Sequence, residues 1–495
     1  MLDYDRYDAL GLAELVRRRE LTPAELLEVA LARAEALNPR LNAIIHPMYE
    51  HARALARAPL PAGPFTGVPF LLKDILQAYA GFPLSSGSAA LRDFVPPGDA
   101  EVVARFKRAG VVTFGKTNVP EFGLVAYTEP EAFGPARNPW DLERTPGGSS
   151  GGAAAAVAAG IVPMAGANDG GGSIRIPAAY CGLFGLKPTR GRVPTGPFFG
   201  EVWEGASVDH VLSRSVRDSA VMLDAIAGPD PGAPYQIPPP ERPYAEEIRR
   251  APGRLRIAFT TRSPLGGGMH PECVRAVEDA ARLLEQLGHE VEEALPEVDG
   301  LQVARAYITL YFGQVAADVQ WLAARQGEAA LKQVEAPTRA LATIGRSLSS
   351  AQYVLSRREW HGFARAMAAF HQRYDAFLTP ATAAPPVKIG ELKPKRIELL
   401  ALEAASALRL GKVLLATGLI DKLARENLGQ TPFTQLANLT GQPAMAVPLH
   451  WTPDGLPAGV QVLARWGDEA TLFRLAAQLE QARPWFARRP ALAST

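Results

Sequence analysis

Cysteine and lysine are both scarce in this sequence of 495 residues. The chain has only two cysteines, Cys181 and Cys273, which excludes a disulfide framework and a zinc site built from several thiolates. This usage favours a reducing compartment, so we expect the protein in the cytoplasm. Ten lysines stand against 42 arginines, so a lysine in apolar surroundings becomes a candidate for chemistry.

An excess of charge of either sign is also missing, because 52 basic side chains face 51 acidic ones and the formal net charge is +1. Nucleic-acid binding therefore has no electrostatic support, and we expect a small molecule as the partner. The most apolar stretches, 153–167 and 399–420, contain Pro163 or charged residues, so neither predicts a membrane span. The polar, acidic N-terminus argues against a secretory signal.

Alternating helix and strand signals predict an α/β fold. The run from Gly67 to Asp74 is short and apolar and ends in charge, which is typical of a buried strand that delivers a side chain to a cleft. Residues 300–425 are mainly helical and predict a cap or side layer, and residues 443–463 predict a β-hairpin. We expect one domain over residues 1–495, with a helical elaboration at about 300–425.

Three side chains have complementary chemistry: Lys73 at the end of the predicted strand, and Ser149 and Ser173 in two glycine clusters. A serine hydroxyl is a poor nucleophile until a base takes its proton, and lysine can be that base only when its pKa is lowered. Moving the pKa of Lys73 from about 10.4 to about 7 requires roughly 4 to 5 kcal/mol of bias against the ammonium form. The apolar residues before Lys73 supply part of that bias, and strand alternation turns Asp74 to the other side.

Each of these residues also has an ordinary structural interpretation. Glycines 170 to 172 can simply shape a turn, with Ser173 as a cap, and Ser149 can cap the Ala-rich helix that follows it. Lys73 alone can be a salt-bridge or surface residue. In the catalytic interpretation, the same glycines leave several N–H groups free to converge on an oxygen beside Ser173, as an oxyanion hole requires.

The combination resembles one family. Lys73, Gly147-Gly-Ser-Ser-Gly-Gly152 and Asp169-Gly-Gly-Gly-Ser-Ile-Arg-Ile-Pro177 are similar to the motifs of the amidase signature family of Ser-Ser-Lys hydrolases. The resemblance continues through Tyr180-Cys-Gly-Leu-Phe-Gly-Leu-Lys-Pro188 and returns in Asn438-Leu-Thr-Gly-Gln-Pro443. It implies the amidase signature fold, an α/β architecture in which a central twisted mixed β-sheet is flanked by helices on both faces.

The resemblance also implies a role for each matching residue. Ser173 would be the acylated nucleophile, and Lys73 would be the base. Ser149, which a cis peptide typically precedes in this family, would bridge between them. The implied oxyanion hole consists of the backbone N–H groups of Gly170, Gly171, Gly172 and Ser173. The implied supporting residues are Ser150, Asp169 and Arg175. The implied reaction is hydrolysis of a carboxamide bond through an acyl-enzyme.

A second motif competes for the same serines. Gly148-Ser-Ser-Gly-Gly152 also fits Gly-x-Ser-x-Gly, the nucleophile elbow of α/β-hydrolases, which would make Ser150 the nucleophile. An elbow follows a buried strand, whereas residues 138–146 are polar and bracketed by prolines, so the context opposes this interpretation. The sequence has no phosphate-binding loop and no histidine spacing typical of metal ligands, so we expect neither a cofactor nor a metal.

Within the family, the sequence is most similar to stand-alone amidases of the 6-aminohexanoate cyclic-dimer hydrolase type, through Ala167-Asn-Asp-Gly-Gly-Gly-Ser-Ile-Arg175. The alternative is the glutaminase (A) subunit of a tRNA-dependent amidotransferase, which delivers ammonia to a partner. Those subunits usually carry Thr-Asp-Thr-Gly-Gly-Ser, so the departure here favours the stand-alone enzyme. We expect a small-molecule amide as the substrate, neither nucleic acid nor membrane as a partner, and leave a homodimer open.

Candidates for lining the substrate pocket come from residues 120–140 and 300–425. They are the aromatic side chains of Phe122, Tyr127, Phe133, Tyr311 and Phe312, for each of which core packing is the competing interpretation.

Overall fold

An eleven-stranded sheet forms the centre of the protein in a computed structural model that describes residues 3–395, 398–400, 404, 408, 411–416 and 419–494. The strands lie in the order β1-β3-β2-β4-β6-β5-β10-β11-β9-β7-β8. They are β1 (Ile44–Pro47), β2 (Pro69–Lys73), β3 (Val112–Thr117), β4 (Met164–Asp169), β5 (Phe184–Lys187), β6 (Val208–Ser213), β7 (Arg256–Phe259), β8 (Glu290–Glu293), β9 (Ala376–Pro380), β10 (Ala444–Val447) and β11 (Val460–Ala464).

The sheet is mixed. Strand β2 pairs in parallel with β3 and β4, and β7 pairs in parallel with β8 and β9. The pairs from β4 through β6, β5, β10 and β11 to β9 are antiparallel, as is β1 with β3. The predicted hairpin at 443–463 is confirmed as β10 and β11.

The described α-helices surround this sheet. They are α1 (Ala9–Arg17), α2 (Pro23–Leu41), α3 (Tyr49–Arg57), α4 (Glu101–Arg108), α5 (Gly151–Ala158), α6 (Arg175–Cys181), α7 (Val216–Ile226), α8 (Tyr244–Glu247), α9 (Pro271–Gln286), α10 (Gly300–Gln326), α11 (Ala336–Gly345), α12 (Ser350–Arg373), α13 (Gly411–Ala416), α14 (Leu419–Leu428), α15 (Thr434–Thr440) and α16 (Glu469–Ala482). Short 3₁₀ turns occur at Tyr4–Arg6, Ala89–Leu91, Glu121–Gly123, Glu328–Gln333 and Ala491–Ser494. Among the described helices, none combines the length and apolar composition that a bilayer crossing requires.

Both faces of the sheet are covered, which strand β2 shows residue by residue. Its Phe70 and Leu72 belong to a core cluster packed by α1, α4, α7, α9 and α16, whereas Leu71 belongs to a second cluster with α2, α3, α5 and α6. Successive side chains of a strand point to opposite faces, so Lys73 lies on the same face as Leu71. The sequence prediction of a mixed sheet flanked by helices on both faces is confirmed, and Lys73 points toward α5 and α6.

The described part of residues 300–425 is mainly helical, and it also contains strand β9. Helices α10, α11 and α12, together with α14 and α15, contribute to a separate apolar cluster. Strand β9 lies between β11 and β7 inside the sheet and is fully buried. Periodicity does not distinguish a short apolar run beside long helices from a helix segment, so the sequence does not reveal this strand. The single domain over 1–495 stays a prediction.

Candidate active site

Lys73 ends strand β2 in complete burial, with 0% of its surface exposed. Its Nζ lies 2.8 Å from Ser149 Oγ, 2.6 Å from Asn168 Oδ1 and 3.2 Å from the Asn168 carbonyl oxygen. Each of these contacts is an oxygen, and none belongs to a carboxylate. Within the described ranges, the amine therefore has polar partners but no ion pair to hold it in the charged form.

Burial lowers the pKa of Lys73 from 10.5 to about 7, against the opposing charges of Asp209 and Asp169. Asp74, the neighbour in sequence, accepts hydrogen bonds from the N–H and hydroxyl of Ser85. Asp74 is thus directed away from the amine, as strand alternation predicts. Lys73 is thus a buried amine with a pKa near neutrality, which is what the predicted role of base requires.

Ser149 sits in a tight loop before helix α5, 3% exposed, and its peptide bond with Gly148 is cis. A Cβ added to Gly148 would lie 2.7 Å from both Tyr127 N and Val125 O, so only glycine fits this approach to the 125–127 segment. Close backbone packing on that side leaves the Ser149 hydroxyl facing Lys73. The glycines of this cluster are therefore required by the packing that positions the serine.

Ser173 follows Gly171 and Gly172 in the turn between β4 and α6 and is partly exposed. Its carbonyl oxygen accepts the Ser150 N–H at 3.3 Å, which ties the two serine loops together. Within the described part of the chain, the Ser173 hydroxyl and the N–H groups of Gly171 and Ser173 have no hydrogen-bond partner. These groups remain available to a ligand.

One residue of the predicted oxyanion hole differs. The Gly172 N–H donates to Asp169 Oδ1 at 2.7 Å, so this amide holds the turn and is not free for an oxyanion. Its φ of +128° also favours glycine, and a Cβ there would meet Thr434 at 2.6 Å. The oxyanion hole of Gly170, Gly171, Gly172 and Ser173 stays a prediction, and Gly172 is the member whose N–H is already engaged in the turn.

A fully buried ion pair braces the Ser173 turn. Arg175 donates through Nε to Asp169 Oδ2 and through Nη2 to Asp169 Oδ1, both at 2.9 Å. Its guanidinium also reaches Asn438 Oδ1 at 2.7 Å and Gln461 Oε1 at 2.5 Å. Although burial alone would raise it, Arg175 and Asn438 hold the pKa of Asp169 well below its usual range. This geometry matches the supporting position expected for Asp169 and Arg175.

Behind Lys73 lies a polar network that no sequence motif predicted. Asp209 on β6 pairs in register with Asn168 on β4, accepts from Gln77 Nε2 at 3.0 Å and also from the Asn168 side chain. Gln77 Oε1 in turn accepts the Lys73 backbone N–H at 2.8 Å. Burial raises the pKa of Asp209 to about 6. The sequence around these residues gives no sign of the network, because it forms only when strand pairing brings β4 and β6 together.

Of the predicted pocket residues, Tyr311 donates through its hydroxyl to Leu124 O at 2.7 Å, and its ring contacts Trp203 and Tyr307. Tyr127 packs against the Ser149 loop through its backbone. The other three candidates belong to packing. Phe312 is buried in the helical cluster, and Phe122 lies in a small cluster with Leu322. Phe133 meets His46 edge to face, and the Arg92 guanidinium lies over its ring.

The competing elbow interpretation has no geometric support. Ser150 is fully buried, and its hydroxyl donates to the Asn168 carbonyl at 3.3 Å, so it braces the two loops. His210 Nε2 contacts Ser219, and His450 Nε2 contacts Glu272, away from the glycine clusters. Both cysteines are buried, and burial raises the pKa of Cys273 to about 12. None of these groups can act as the nucleophile.

The sequence profile of the family described as Amidase matches residues 25–473. A "6-aminohexanoate-cyclic-dimer hydrolase" of Pseudomonas sp. (strain NK87) is 38% identical over 98% of this chain and 96% of that protein. A solved structure of 6-aminohexanoate cyclic dimer hydrolase complexed with substrate superimposes with a TM-score of 0.89 at 36% identity, covering 99% of this chain and 100% of that one. The A subunit of the Thermotoga maritima glutamyl-tRNA(Gln) amidotransferase is more distant, with a TM-score of 0.76 at 27% identity over 98% of this chain and 96% of the other.

Proposed function

The chain belongs to the amidase signature family and is an amide hydrolase, and from that premise we propose that it cleaves carboxamides through an acyl-enzyme on Ser173. Ser149 and Lys73 would complete the catalytic triad. The observation that carries this proposal is the 2.8 Å contact between Lys73 Nζ and Ser149 Oγ at a lysine whose pKa is about 7.

The contacts of Lys73 suit a neutral amine. A neutral amine has two N–H donors and one lone pair, and Asn168 offers two acceptors, Oδ1 and the carbonyl oxygen. With both donors directed to Asn168, the lone pair faces Ser149 Oγ and accepts its proton. Lys73 is therefore oriented as a base toward one hydroxyl.

Acylation then proceeds by a proton relay. Ser173 Oγ attacks the amide carbon and transfers its proton to Ser149 Oγ, whose own proton moves to Lys73 Nζ. The carbonyl oxygen gains the negative charge and is held by the N–H groups of Gly170, Gly171 and Ser173. Ser149 next protonates the leaving amine and recovers a proton from Lys73, so the C–N bond breaks and the ester on Ser173 remains.

Deacylation repeats the relay with water. A water molecule loses a proton through Ser149 to Lys73 and attacks the ester carbon, and the Ser173 oxygen leaves with that proton. The turn that carries Ser173 must keep its geometry through both halves, which is the role we assign to the buried Asp169–Arg175 pair.

The substrate class we propose is a neutral small-molecule amide, linear or cyclic, as the name of the cyclic-dimer hydrolase suggests for that relative. Glutaminase activity is the alternative, and it has less support because the similarity to the amidotransferase protein is lower. A cytoplasmic location and a homodimer stay predictions.

A substrate panel tests this function. Aliphatic amides, anilides, lactam dimers and glutamine would be assayed with the wild type, Ser173→Ala, Ser149→Ala and Lys73→Met. We expect each substitution to lower kcat/KM by at least about a thousandfold, and a fluorophosphonate to label Ser173 in the wild type. Hydrolysis of glutamine that appears only with added partner proteins would favour the amidotransferase role instead.

Lys187 provides the matched control. It is also fully buried with a pKa lowered to about 7 by burial, but its Nζ donates to the Pro188 carbonyl rather than to a serine of the described chain. Lys187→Met should therefore retain activity. Near wild-type hydrolysis by a folded Ser173→Ala protein would overturn the proposal.

A further inference from the structure

Thr434, the first residue of helix α15, is fully buried and contacts the turn that carries Ser173. Its hydroxyl oxygen lies 2.6 Å from the Gly171 carbonyl oxygen and 3.4 Å from the Thr431 carbonyl oxygen. A hydroxyl has one proton to donate, so the nearer acceptor, Gly171 O, takes the hydrogen bond. The bond links the glycine turn to a helix that begins 263 residues farther along the chain.

The peptide group between Gly171 and Gly172 is held at both ends. Thr434 donates to its carbonyl oxygen, and its N–H donates to Asp169 Oδ1 at 2.7 Å. A peptide group is planar, so these two bonds together set its orientation. A half-turn of the group would break both bonds and would point the Gly171 carbonyl oxygen toward the Asp169 carboxylate.

The next two carbonyl groups of the turn are held by main-chain donors. Gly172 O accepts the Ile176 N–H at 2.7 Å. Ser173 O accepts the Ser150 N–H at 3.3 Å. Thr434, in contrast, holds the preceding carbonyl through its side chain. A substitution at Thr434 can therefore remove one bond of the turn without changing the sequence of the turn itself.

The orientation of this peptide matters because it lies between two of the predicted oxyanion donors, the N–H groups of Gly171 and Ser173. Glycine has no Cβ and permits backbone rotations that other residues resist, so consecutive glycines need bonds from outside to hold one conformation. Oxyanion donors stabilise a transition state most when they already point at the developing charge. The Thr434 bond supplies part of this preorganisation.

Thr434 is itself fixed by the residues that brace the turn. Its carbonyl oxygen accepts a hydrogen bond from Arg175 Nη1 at 2.9 Å. One helical turn later, Asn438 donates to the Asp169 carbonyl oxygen at 3.0 Å and to Asp169 Oδ1 at 2.9 Å. Residues four apart lie on one face of a helix, so α15 contacts the turn through Thr434 and Asn438 together.

We infer that Thr434 is a positioning residue, whose hydroxyl holds the Gly171–Gly172 peptide so that the N–H groups of Gly171 and Ser173 point at the oxyanion. The inference rests on the proposed acyl-enzyme on Ser173. Thr434 acts through the main chain, and the bond matters most when the oxyanion forms. Its loss should therefore lower kcat and leave KM nearly unchanged.

Thr434→Val removes the hydroxyl at nearly constant volume. We expect kcat for a neutral amide to fall by about a hundredfold, the scale of losing one oxyanion donor, with KM within about threefold of the wild type. Thr434→Ser keeps the hydroxyl and should retain kcat within about fivefold. If Thr434→Val does not fold, Thr434→Ser and Thr434→Ala form a second pair that differs only in the hydroxyl. A kcat ratio below about threefold within either pair would overturn the inference.

A trifluoromethyl ketone separates positioning from a purely structural role. Ser173 Oγ adds to the ketone carbon, its proton passes through Ser149 to Lys73, and the ketone oxygen becomes an oxyanion. Thr434→Val should raise the Ki of this inhibitor by about the hundredfold factor by which kcat/KM falls. In a Ser173→Ala background, the same substitution should change the Kd of the unreacted amide by no more than about twofold. Equal weakening of both ligands would overturn the inference.

Thr440→Val is the matched control. Thr440 lies on the same helix, and its buried hydroxyl bonds to Leu436 O and Gln442 Oε1, both at 2.9 Å, rather than to the Ser173 turn. This variant should keep kcat and Ki within about twofold of the wild type, and a loss equal to that of Thr434→Val would refute the assignment.

Ser173→Ala, assayed beside these variants, separates this inference from the proposed function. Hydrolysis by a folded Ser173→Ala protein would remove the proposed function. A normal rate in Thr434→Val beside an inactive Ser173→Ala would refute the role of Thr434 alone.

Discussion

Replacing Asp209 with asparagine should move the acid limb of the pH–rate profile to lower pH. The limb reports formation of neutral Lys73, whose pKa is lowered by burial and partly restored by the charges of Asp209 and Asp169. Asp209→Asn removes one of these charges at nearly constant volume. The ammonium form loses stabilisation, the pKa of Lys73 falls, and the active amine forms at lower pH.

The size of the shift follows from the network. Asn168 contacts the Lys73 amine with Oδ1 at 2.6 Å and donates to Asp209, so a single amide separates the two charges. Two unit charges about 4 Å apart interact by about 4 kcal/mol at an effective dielectric constant of about 20. The intervening amide roughly doubles that distance, which leaves about 2 kcal/mol, or about 1.5 pH units.

The assay is kcat/KM against pH for one neutral amide, from pH 4.5 to 9. The wild-type limb should lie near pH 7, as a property of the coupled Lys73–Asp209 pair, since Asp209 titrates at about 6. In Asp209→Asn the midpoint should lie about 1.5 units lower. The plateau should also fall, because asparagine offers one oxygen to two amide donors, but the midpoint is read independently of the plateau.

Asp224→Asn is the control. Asp224 is a half-buried carboxylate on α7 that accepts the Tyr244 and Ala245 N–H groups, away from the lysine. Its removal should leave the midpoint in place. A limb that stays near pH 7 in Asp209→Asn, or moves upward, would refute the electrostatic account of Lys73.

Three further perturbations have expected outcomes. Gly171→Ala places its Cβ 2.0 Å from Tyr307 Oη and should lower kcat/KM by at least about a hundredfold in a protein that still folds; near-normal turnover would contradict the packing. Arg175→Lys removes the bidentate contact with buried Asp169 and should reduce the free energy of unfolding by about 2–3 kcal/mol in denaturant titration, whereas an unchanged value would argue against the brace. Burial and the negative charge of Glu335 raise the pKa of Glu121 from 4.5 to about 7, so the protonated carboxyl that the fold prefers is lost as pH rises through 7. Glu121→Gln should therefore raise the thermal midpoint of unfolding at pH 8 and leave it unchanged at pH 4.5. Equal shifts in the midpoint at both pH values would oppose this account.

The three groups of the proposed triad can be picked out from the sequence because each has distinctive neighbours. Lys73 ends an apolar run that becomes β2, and both serines lie in glycine clusters whose backbone packing excludes side chains. Ser149 and Ser173 are 24 residues apart and flank helix α5 and strand β4, so their meeting involves one short connection. Local signals of this kind survive in a single sequence.

The residues that surround Lys73 and the Ser173 turn could not be predicted in this way. Asp209 meets Asn168 through strand pairing, and Tyr307 of α10 meets Gly171 although the two are far apart in sequence. The sequence does not reveal strand β9 within its helical stretch, because the place of this strand in the sheet depends on pairing with β11 and β7. Tertiary contacts across long sequence separations leave no periodicity to read.

The two aspartates near Lys73 show why this tertiary information decides the chemistry. Asp169 is closer in sequence to the nucleophile, yet both of its oxygens are bound by Arg175, so its charge is largely offset within the pair. Among the described residues, the side-chain donors to Asp209 are the amides of Gln77 and Asn168, and its charge acts on Lys73 more strongly than that of Asp169. The pKa of the base therefore depends chiefly on burial and on one carboxylate of β6, and substitutions along the Gln77–Asp209–Asn168 network should change the pH dependence of the reaction while the serines stay in place.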